Sequence, residues 1–497
     1  MNKLPFIKPL IKTNVFDECF IASITDNSKD VQKNSLFVAR QGAGSHGKEF
    51  IKDAVKKGAS CIISDQELNE EMDIPIYYIN NLEDIVIEIL FRFHELSEDD
   101  FIFHGVTGTN GKTTTAFMAH NIMRELQKPS IYIGTLGAII NDDLVQTKGN
   151  TTPGIFELFE ILYACKTQQK TYVFLEISSH ALAQQRLCNL PFLQTIILNI
   201  QSDHLDYHQT ERNYINTKLS LVNLNNQKPT IISMDQMQDL LPRLSKAQKE
   251  QLAKAQFLSA KNPSAPFKYS FFYNPEGSSK INLNFPCFAL EASVSLFLKF
   301  NIENYIAAIA LISEHVEPND LSNTNRDEIK LPQGRGEILR LKKGRILIDY
   351  AHDQQSMQNI LSELVSYYSD IILVFGCGGD RDKSKRPKMM KVAQDFSNKV
   401  FFTSDNNRYE SFSAIASDAM NESDQAGVEI IENRKKAITA ALQHLTKENI
   451  LVILGKGHET SIEISGNKIP FNDRDCEIGR AHVRTPVTSL SRMPSSA

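Results

Sequence analysis

The stretch GVTGTNGKTTT, Gly105 to Thr115, follows the apolar run Phe101 to Val106 and opens an amphipathic run that continues to Lys128. A glycine-rich turn from a buried strand into a helix points bare backbone N–H groups and a helix N-terminus at one spot, and that spot attracts an anion. Lys112 adds a point charge and Thr113 a hydroxyl that can meet Mg²⁺. The stretch departs from the strict GxxxxGK[ST] template, because Val106 stands where its first glycine would be. Strand, turn, helix and Lys-Thr-Thr still agree on a phosphate cradle running through Gly108, Thr109, Asn110, Gly111, Lys112, Thr113 and Thr114.

A cradle of this kind needs a parallel sheet around it, and the chain supplies the strands. TYVFLEIS (Thr171 to Ser178) and TIILNI (Thr195 to Ile200) read as buried parallel strands with polar residues at their carboxyl ends, where open α/β sheets carry their chemistry. Glu176 ends the first, and Asp203, His204, Asp206 and His208 follow the second. The segment from Phe257 to Phe297 reads as an antiparallel flank. Before the cradle, Leu36 to Ala39 and Ser60 to Ser64 read as strands around a helix from Phe50 to Lys57, a small α/β unit. The polar stretch Glu317 to Gln333 reads as a linker. Strand patterns then restart at Arg345 to Ala351, Asp370 to Gly379, Lys399 to Asn406 and Asn449 to Gly457, with helical stretches between them.

The expected architecture is therefore α/β in three domains. A small N-terminal α/β domain spans 1–90, a central P-loop ATPase-like parallel-sheet domain 91–332, and a C-terminal Rossmann-like domain 333–478. Residues 479–497 lose all periodicity and read as a non-native or disordered tail. A chain of 497 residues exceeds what one core serves, which agrees with several domains. A net charge of −5 argues against a general nucleic-acid or anionic-membrane surface. Seven scattered cysteines without a CxxC pair suit reduced thiols in a cytoplasm, and no run reaches transmembrane length.

Taken together, these stretches resemble the Mur ligase family over about residues 20 to 475, in family order, and within it the branch that adds the third residue of the peptidoglycan stem peptide. The resemblance implies ATP-dependent amide-bond formation through an acyl phosphate, joining meso-2,6-diaminopimelate to UDP-N-acetylmuramoyl-L-alanyl-D-glutamate. It implies Mg²⁺ as cofactor and a cytoplasmic monomer with no nucleic-acid partner and no membrane insertion. Glu176 in LEISSHALAQQR matches the family's Mg²⁺ carboxylate, His204 in SDHLDYH a ligand of a second Mg²⁺, and Lys218 in ERNYINTKLSLV a lysine that the family carbamylates. With Lys112 these are the implied catalytic residues, and Thr113, Glu176, His204 and carbamylated Lys218 the implied metal ligands.

For the acceptor, Ser28 in TDNSKD matches a uridine contact. Asn150, Thr151 and Thr152 in GNTTPG, then Ser178, Gln184 and Arg186, match contacts to the muramoyl-peptide. Asn304, Arg335, Asp349 and His352 match positions near the adenosine and phosphates. DNNR, Asp405 to Arg408, stands where members selecting diaminopimelate carry DNPR. Asp405, Asn406 and Arg408, with Arg381, Gly455 and Glu459, are the implied amine-donor contacts, Arg408 gripping the distal carboxylate.

Blander readings stand beside these. Taken singly, Glu176 is a strand-end cap, His204 a structural histidine, Lys218 a snorkelling surface lysine and DNNR a turn. Three rivals share the phosphate cradle: a ligase of the same family that takes L-lysine, a folate-glutamate ligase, and a P-loop ATPase switch.

Overall fold

The computed structural model describes residues 2–3, 20–42, 44–67, 72–140, 143–201, 203–224, 226–274, 278–323, 329–421 and 426–476. The expected tail at 479–497 lies outside them. The chain forms two compact units. One holds residues up to 271 with 281–292 and 303–325, and the other holds 272–280, 293–302 and the rest.

The first unit holds a two-stranded pair, Asn2–Lys3 with Phe20–Ile21, a four-stranded sheet and most of an eleven-stranded one. Strands β1 (Ser23–Thr25), β2 (Ser35–Ala39), β3 (Ala59–Ser64) and β4 (Ile76–Tyr78) pair in parallel and in chain order. Helices α1 (Ile51–Lys57) and α2 (Leu82–Phe93) accompany them. α1 stops at Gly58, whose φ of 105° closes the helix in the left-handed conformation. One face of this small sheet, through Ile24, Leu36, Val38, Cys61 and Ile63, shares a continuous core with α2 and with Phe101 and Phe103 of the next sheet.

That next sheet comprises β5 (Phe101–Thr107), β6 (Ser130–Gly134), β7 (Gly137–Ile140), β8 (Asp143–Val145), β9 (Thr171–Glu176), β10 (Phe192–Ile197), β11 (Ile231–Ser233), β12 (Gln256–Ser259), β13 (Phe267–Phe272), β14 (Ser279–Asn284) and β15 (Ala289–Val294). Their order is β8-β7-β6-β9-β5-β10-β11-β12-β13-β14-β15. β5 lies between β9 and β10 and is parallel to both. The chain leaves β5 within one residue of the point where its two neighbours end in register, so three strand ends converge on one crevice. The strand expected at Thr195 to Ile200 begins three residues earlier, and Leu198 to Ile200 instead forms the loop beside the cradle. The flank expected to be antiparallel begins with parallel pairs, β11 with β12 and β12 with β13.

The second unit carries β16 (Arg335–Arg340), β17 (Arg345–Asp349), β18 (Ile371–Phe375), β19 (Lys399–Phe402), β20 (Val428–Ile430) and β21 (Ile450–Leu454), ordered β16-β17-β21-β18-β19-β20. Leu347, Leu373, Val452 and Leu454 face one core, and Ile346, Ile348, Val374 and Ile453 face another. Burial on both faces explains why these strands read as unbroken apolar runs. The edge strand β16 is antiparallel to β17, which the sequence reading did not anticipate. Within the expected linker, Pro318–Asn323 is helical.

Candidate functional site

The cradle forms where sequence places it. β5 ends at Thr107, and helix α3 (Lys112–Glu125) starts after Gly111, which has a φ of 86°. A Cβ there would also come within 2.5 Å of Asn304 Oδ1, so conformation and space both select glycine. The loop is tied to the end of β10. Thr109 N–H donates to Asn199 O at 3.1 Å, Asn110 N–H to Asn199 Oδ1 at 2.9 Å, and Asn110 Nδ2 to Gln201 Oε1 at 3.1 Å. Lys112 Nζ turns back onto the carbonyls of Gly108 (2.8 Å) and Thr109 (3.0 Å). Thr113 and Thr114 are buried under the turn, and Thr115 donates to Asn304 Oδ1 at 3.3 Å.

Glu176 is fully buried at the end of β9 and gathers donors from three directions. Thr113 Oγ1 donates to its Oε2 at 3.0 Å and Thr135 Oγ1 to the same oxygen at 3.1 Å. Thr135 N–H reaches Oε1 at 3.0 Å, and the Tyr132 hydroxyl donates to Oε1 as well. A buried carboxylate with this many donors is held in one orientation. Gly134 makes the space for it, because a Cβ there would lie 2.2 Å from Glu176 Oε1. Tyr132, Gly134 and Thr135 were not singled out from sequence. The only signal was SIYIGTLG, a strand with a glycine at its carboxyl end.

Lys218, which spacing alone would leave on the surface, is 1% exposed. It lies on the helix Glu211–Leu219, and its Nζ donates to Gly108 O at 2.9 Å and sits 5.0 Å from the centre of the Tyr214 ring. Burial pushes its pKa well below the ordinary lysine value, Lys112 adds to the shift and Asp203 opposes it. The snorkelling reading fails because Tyr214, itself bonded to Thr109 through its hydroxyl at 3.0 Å, turns this helix face toward the cradle.

His204 is 47% exposed and has a φ of 51°, with Nε2 3.4 Å from Asp203 Oδ2. Its ring lies 5.0 Å from that of His180. Among the described residues, no three His, Cys, Asp or Glu side chains converge as a metal cage. A hard cation fits all the same, since Mg²⁺ takes one or two protein oxygens and completes its shell with phosphate and water. Thr113 and Glu176 are oxygen donors of that kind.

The residues expected to meet the muramoyl-peptide adjoin Glu176. Thr152 Oγ1 donates to Glu176 O at 2.8 Å and accepts from Ser178 N–H at 2.9 Å, while Thr151 Oγ1 is 3.3 Å from Thr135 Oγ1. Arg186 Nη1 donates to Thr152 O at 3.1 Å and its Nε to Gln184 Oε1 at 2.8 Å. Asn150 is exposed. Ser28 is buried in the turn that Asn27 caps. That turn is bridged to the GNTTPG loop by Lys148 and Asp30, 2.6 Å apart.

In the second unit, Arg335 stacks on Tyr350 at 4.3 Å and is the cross-strand partner of Asp349, whose carboxyl is raised by burial with Arg335 opposing. His352 Nδ1 lies 3.0 Å from Tyr350 O. Asp405 follows β19, and Gly455 follows β21 with a φ of 110°. A Cβ on Gly455 would lie 2.6 Å from Asp405 Oδ2. Asn406 Nδ2 donates to Glu459 Oε2 at 2.9 Å, and Asn406 Oδ1 accepts from Lys456 Nζ at 2.9 Å. Lys456, fully buried, also pairs with Glu459. Burial pushes the Glu459 carboxyl up, but Lys456 and the Asn406 amide outweigh it and hold the group below its ordinary value.

Arg408 has a φ of 50° and donates from Nη1 to Gly379 O at 2.6 Å, while Arg381 is exposed. Asn407 is buried, and its Nδ2 donates to Ser404 Oγ at 3.2 Å, a side-chain tether where a proline would stiffen the loop through its ring. Beneath both loops, Arg434 and Asp473 form a two-pronged ion pair at 2.7 Å on each arm with neither side chain exposed. Lys456 and this buried pair were likewise not singled out from sequence.

Three family models match the chain: the Mur ligase family catalytic domain over residues 20–90, the Mur ligase middle domain over 106–312, and the Mur ligase glutamate ligase domain over 334–457. A UDP-N-acetylmuramoyl-L-alanyl-D-glutamate–2,6-diaminopimelate ligase from Clostridium perfringens is 31% identical over 94% of this chain and 96% of its own length. A solved structure of a ligase of the same name covers 96% of this chain and 99% of its own, with a TM-score of 0.66 and 28% identity. A MurF ligase from Thermotoga maritima in complex with ADP shares the fold at 17% identity, with a TM-score of 0.58 over 88% of this chain and 95% of its own.

Proposed function

Because this chain belongs to the Mur ligase family, we propose that it joins meso-2,6-diaminopimelate to UDP-N-acetylmuramoyl-L-alanyl-D-glutamate at the expense of ATP. The observation that carries this reading is the buried Glu176, fixed by Thr113 of the cradle on one side and adjoining the Thr151, Thr152, Ser178 and Arg186 cluster on the other. One carboxylate thus serves both the phosphate end of one reactant and the acceptor end of the other. The name shared by the Clostridium perfringens relative and the solved structure supports the same substrates.

In this reading the acceptor's terminal carboxylate attacks the γ-phosphorus of ATP, and ADP leaves. The amine then attacks the acyl carbon of the acyl phosphate, loses a proton and expels phosphate. Gly108 to Thr114 bind the phosphates, with Lys112 swinging from its two carbonyls onto the transferring group. Mg²⁺ held by Thr113 and Glu176, with His204 at a second ion, would supply charge neutralisation on the phosphoryl oxygens. Thr151, Thr152, Ser178, Gln184 and Arg186, with Asn150, orient the peptide, and Ser28 meets the uridine. Asn304, Arg335, Asp349 and His352 serve the nucleotide.

The buried Lys218 amine has the free lone pair needed to attack CO₂, which yields a carbamate and one proton. An anion at this point turns the repulsion by Lys112 into attraction. Arg408, with Arg381, takes the distal carboxylate of the amine donor, while Asp405, Asn406, Gly455 and Glu459 take its ammonium. We place the domain boundaries at 90/91 and 332/333 and expect a cytoplasmic monomer.

The test is incubation of the purified protein with ATP, Mg²⁺, the UDP-linked dipeptide and meso-diaminopimelate. A UDP-linked product heavier by one condensed diaminopimelate is expected. Phosphate release with no gain in peptide mass would overturn the ligase reading in favour of an ATPase switch.

A further inference from the structure

Two loops of the second unit carry Arg381 and Arg408, one following β18 and the other following β19. They are stitched together along their backbones. Gly379 N–H donates to Asn406 O at 2.9 Å, Arg408 Nη1 to Gly379 O at 2.6 Å, and Tyr409 N–H to Asp380 Oδ2 at 3.1 Å. A Cβ on Gly379 would lie 1.9 Å from Asn407 O, so the two chains touch there. Asp380 and Arg408 both take the left-handed conformation, with φ of 51° and 50°. That conformation is unfavourable for a residue with a Cβ and persists where the surroundings over-determine it.

Arg386 supplies the constraint. It lies on the first turn of the helix Lys385–Phe396, and its side chain is 2% exposed. Nη1 donates to Glu410 Oε2 at 3.0 Å and Nη2 to Glu410 Oε1 at 2.8 Å, a two-pronged pair. Nη1 also reaches Asp418 Oδ2 at 2.7 Å, and Nη2 reaches Gly378 O at 3.1 Å. Glu410 Oε1 in turn accepts from Asp380 N–H at 2.5 Å. Arg386 and Glu410 thus hold the residues on both sides of Gly379, and Gly379 O is the group on which the Arg408 guanidinium rests. A planar fork can serve these acceptors together, whereas an ammonium cannot match its geometry. Stability alone does not call for such a network, because apolar residues of similar volume often do as well in place of a buried ion pair.

We propose that Arg386 and Glu410 are positioning residues for donor selection: touching no substrate, they fix the Arg408 guanidinium where the donor's distal carboxylate arrives. The assignment rests on Arg408 as the contact to that carboxylate. A misplacement of about 1 Å costs on the order of 10²-fold, so loosening this seam should be visible in the choice of amine.

Glu410→Gln keeps the shape of the side chain and removes the charge that pairs with Arg386, and Arg386→Lys keeps the charge and removes the fork. The first readout is the ratio of kcat/KM for meso-diaminopimelate to that for L-lysine in the product-mass assay. This ratio does not depend on the fraction of enzyme that is folded, so simple destabilisation leaves it unchanged. It should fall at least tenfold in both variants through a higher KM for diaminopimelate, with KM for ATP within twofold of the parent. The second readout needs no substrate. Hydrogen–deuterium exchange at the Gly379, Asp380 and Tyr409 amides should quicken at least tenfold in Glu410→Gln, while exchange in β18 stays unchanged. A parent that shows no preference for diaminopimelate overturns the role of Arg408 itself, and the exchange readout then decides whether the pair fixes the loop. A selective parent whose variants keep the ratio within threefold, or loop amides that exchange at the parent rate, would overturn the assignment of Arg386 and Glu410.

Discussion

Gly134→Ala tests whether the position of Glu176 governs the chemistry. The added Cβ would lie 2.2 Å from Glu176 Oε1 and 2.6 Å from its Cγ and Cδ, about 1.2 Å short of the 3.4 Å at which ordinary contact begins. Glu176 cannot yield by rotating alone, because Tyr132, Thr135 and Thr113 bind both of its oxygens and the side chain is fully buried. Overpacking of this size costs about 1–3 kcal/mol, which a chain of this length survives. A displacement of about 1 Å in a catalytic group, by contrast, costs on the order of 10²-fold in rate. The expected variant folds, melts a few degrees lower, and forms UDP-linked product at about one hundredth of the parent kcat. A kcat within threefold of the parent would refute the argument that Glu176 must sit where these donors hold it.

Asp473→Ala leaves the buried Arg434 with Leu454 O at 2.9 Å and Ser404 O at 3.4 Å as its hydrogen-bond acceptors among the described residues. It should destabilise the second unit by about 3–5 kcal/mol and raise KM for the amine, since those carbonyls adjoin Gly455 and Asp405; a calorimetric trace unchanged in that unit would contradict this. Lys456→Met removes the cation that holds Glu459 ionised, so KM for the amine should rise about tenfold and the acidic limb of kcat/KM should move to higher pH; an unmoved limb would show that Glu459 does not depend on Lys456. Acid stability should follow the buried histidines. Burial lowers His120 to about 3 and His94, His315 and His458 to about 4. The unfolded chain therefore takes up protons below about 6.5 that the folded chain refuses, and lowering the pH from 7.5 to 5 costs about 2 kcal/mol per histidine. Glu410, held at about 2 by Arg386, acts only below about 4.5, so a thermal melt flat between pH 7.5 and 5 would contradict the histidine assignment.

The cradle was legible because strand, glycine turn and helix follow one another within a few residues, where local rules decide the structure. The fully buried strands of the second unit were legible for a similar reason, their unbroken apolar runs. Lys218 was not legible from spacing, since its burial depends on Tyr214 meeting Thr109, a contact across about a hundred residues. Tyr132, Thr135 and Gly134 were missed because they act only through a carboxylate some forty residues later, and a lone glycine at a strand end carries no mark of what it makes room for. Edge strand β16 was missed because only Gly336 and Leu339 of its six residues are buried and three of the six are charged.

The central claim turns on which amine the protein accepts. The most direct measurement is kcat/KM for meso-diaminopimelate and for L-lysine in the same product-mass assay, with ATP, Mg²⁺ and the UDP-linked dipeptide held saturating. Lysine lacks the carboxylate that Arg408 is proposed to bind, and a site built for a charged group rejects an analogue without it by about 10³-fold or more. A preference of that size for diaminopimelate, largely lost in Arg408→Ala, is the predicted result. Comparable turnover of the two amines would contradict it.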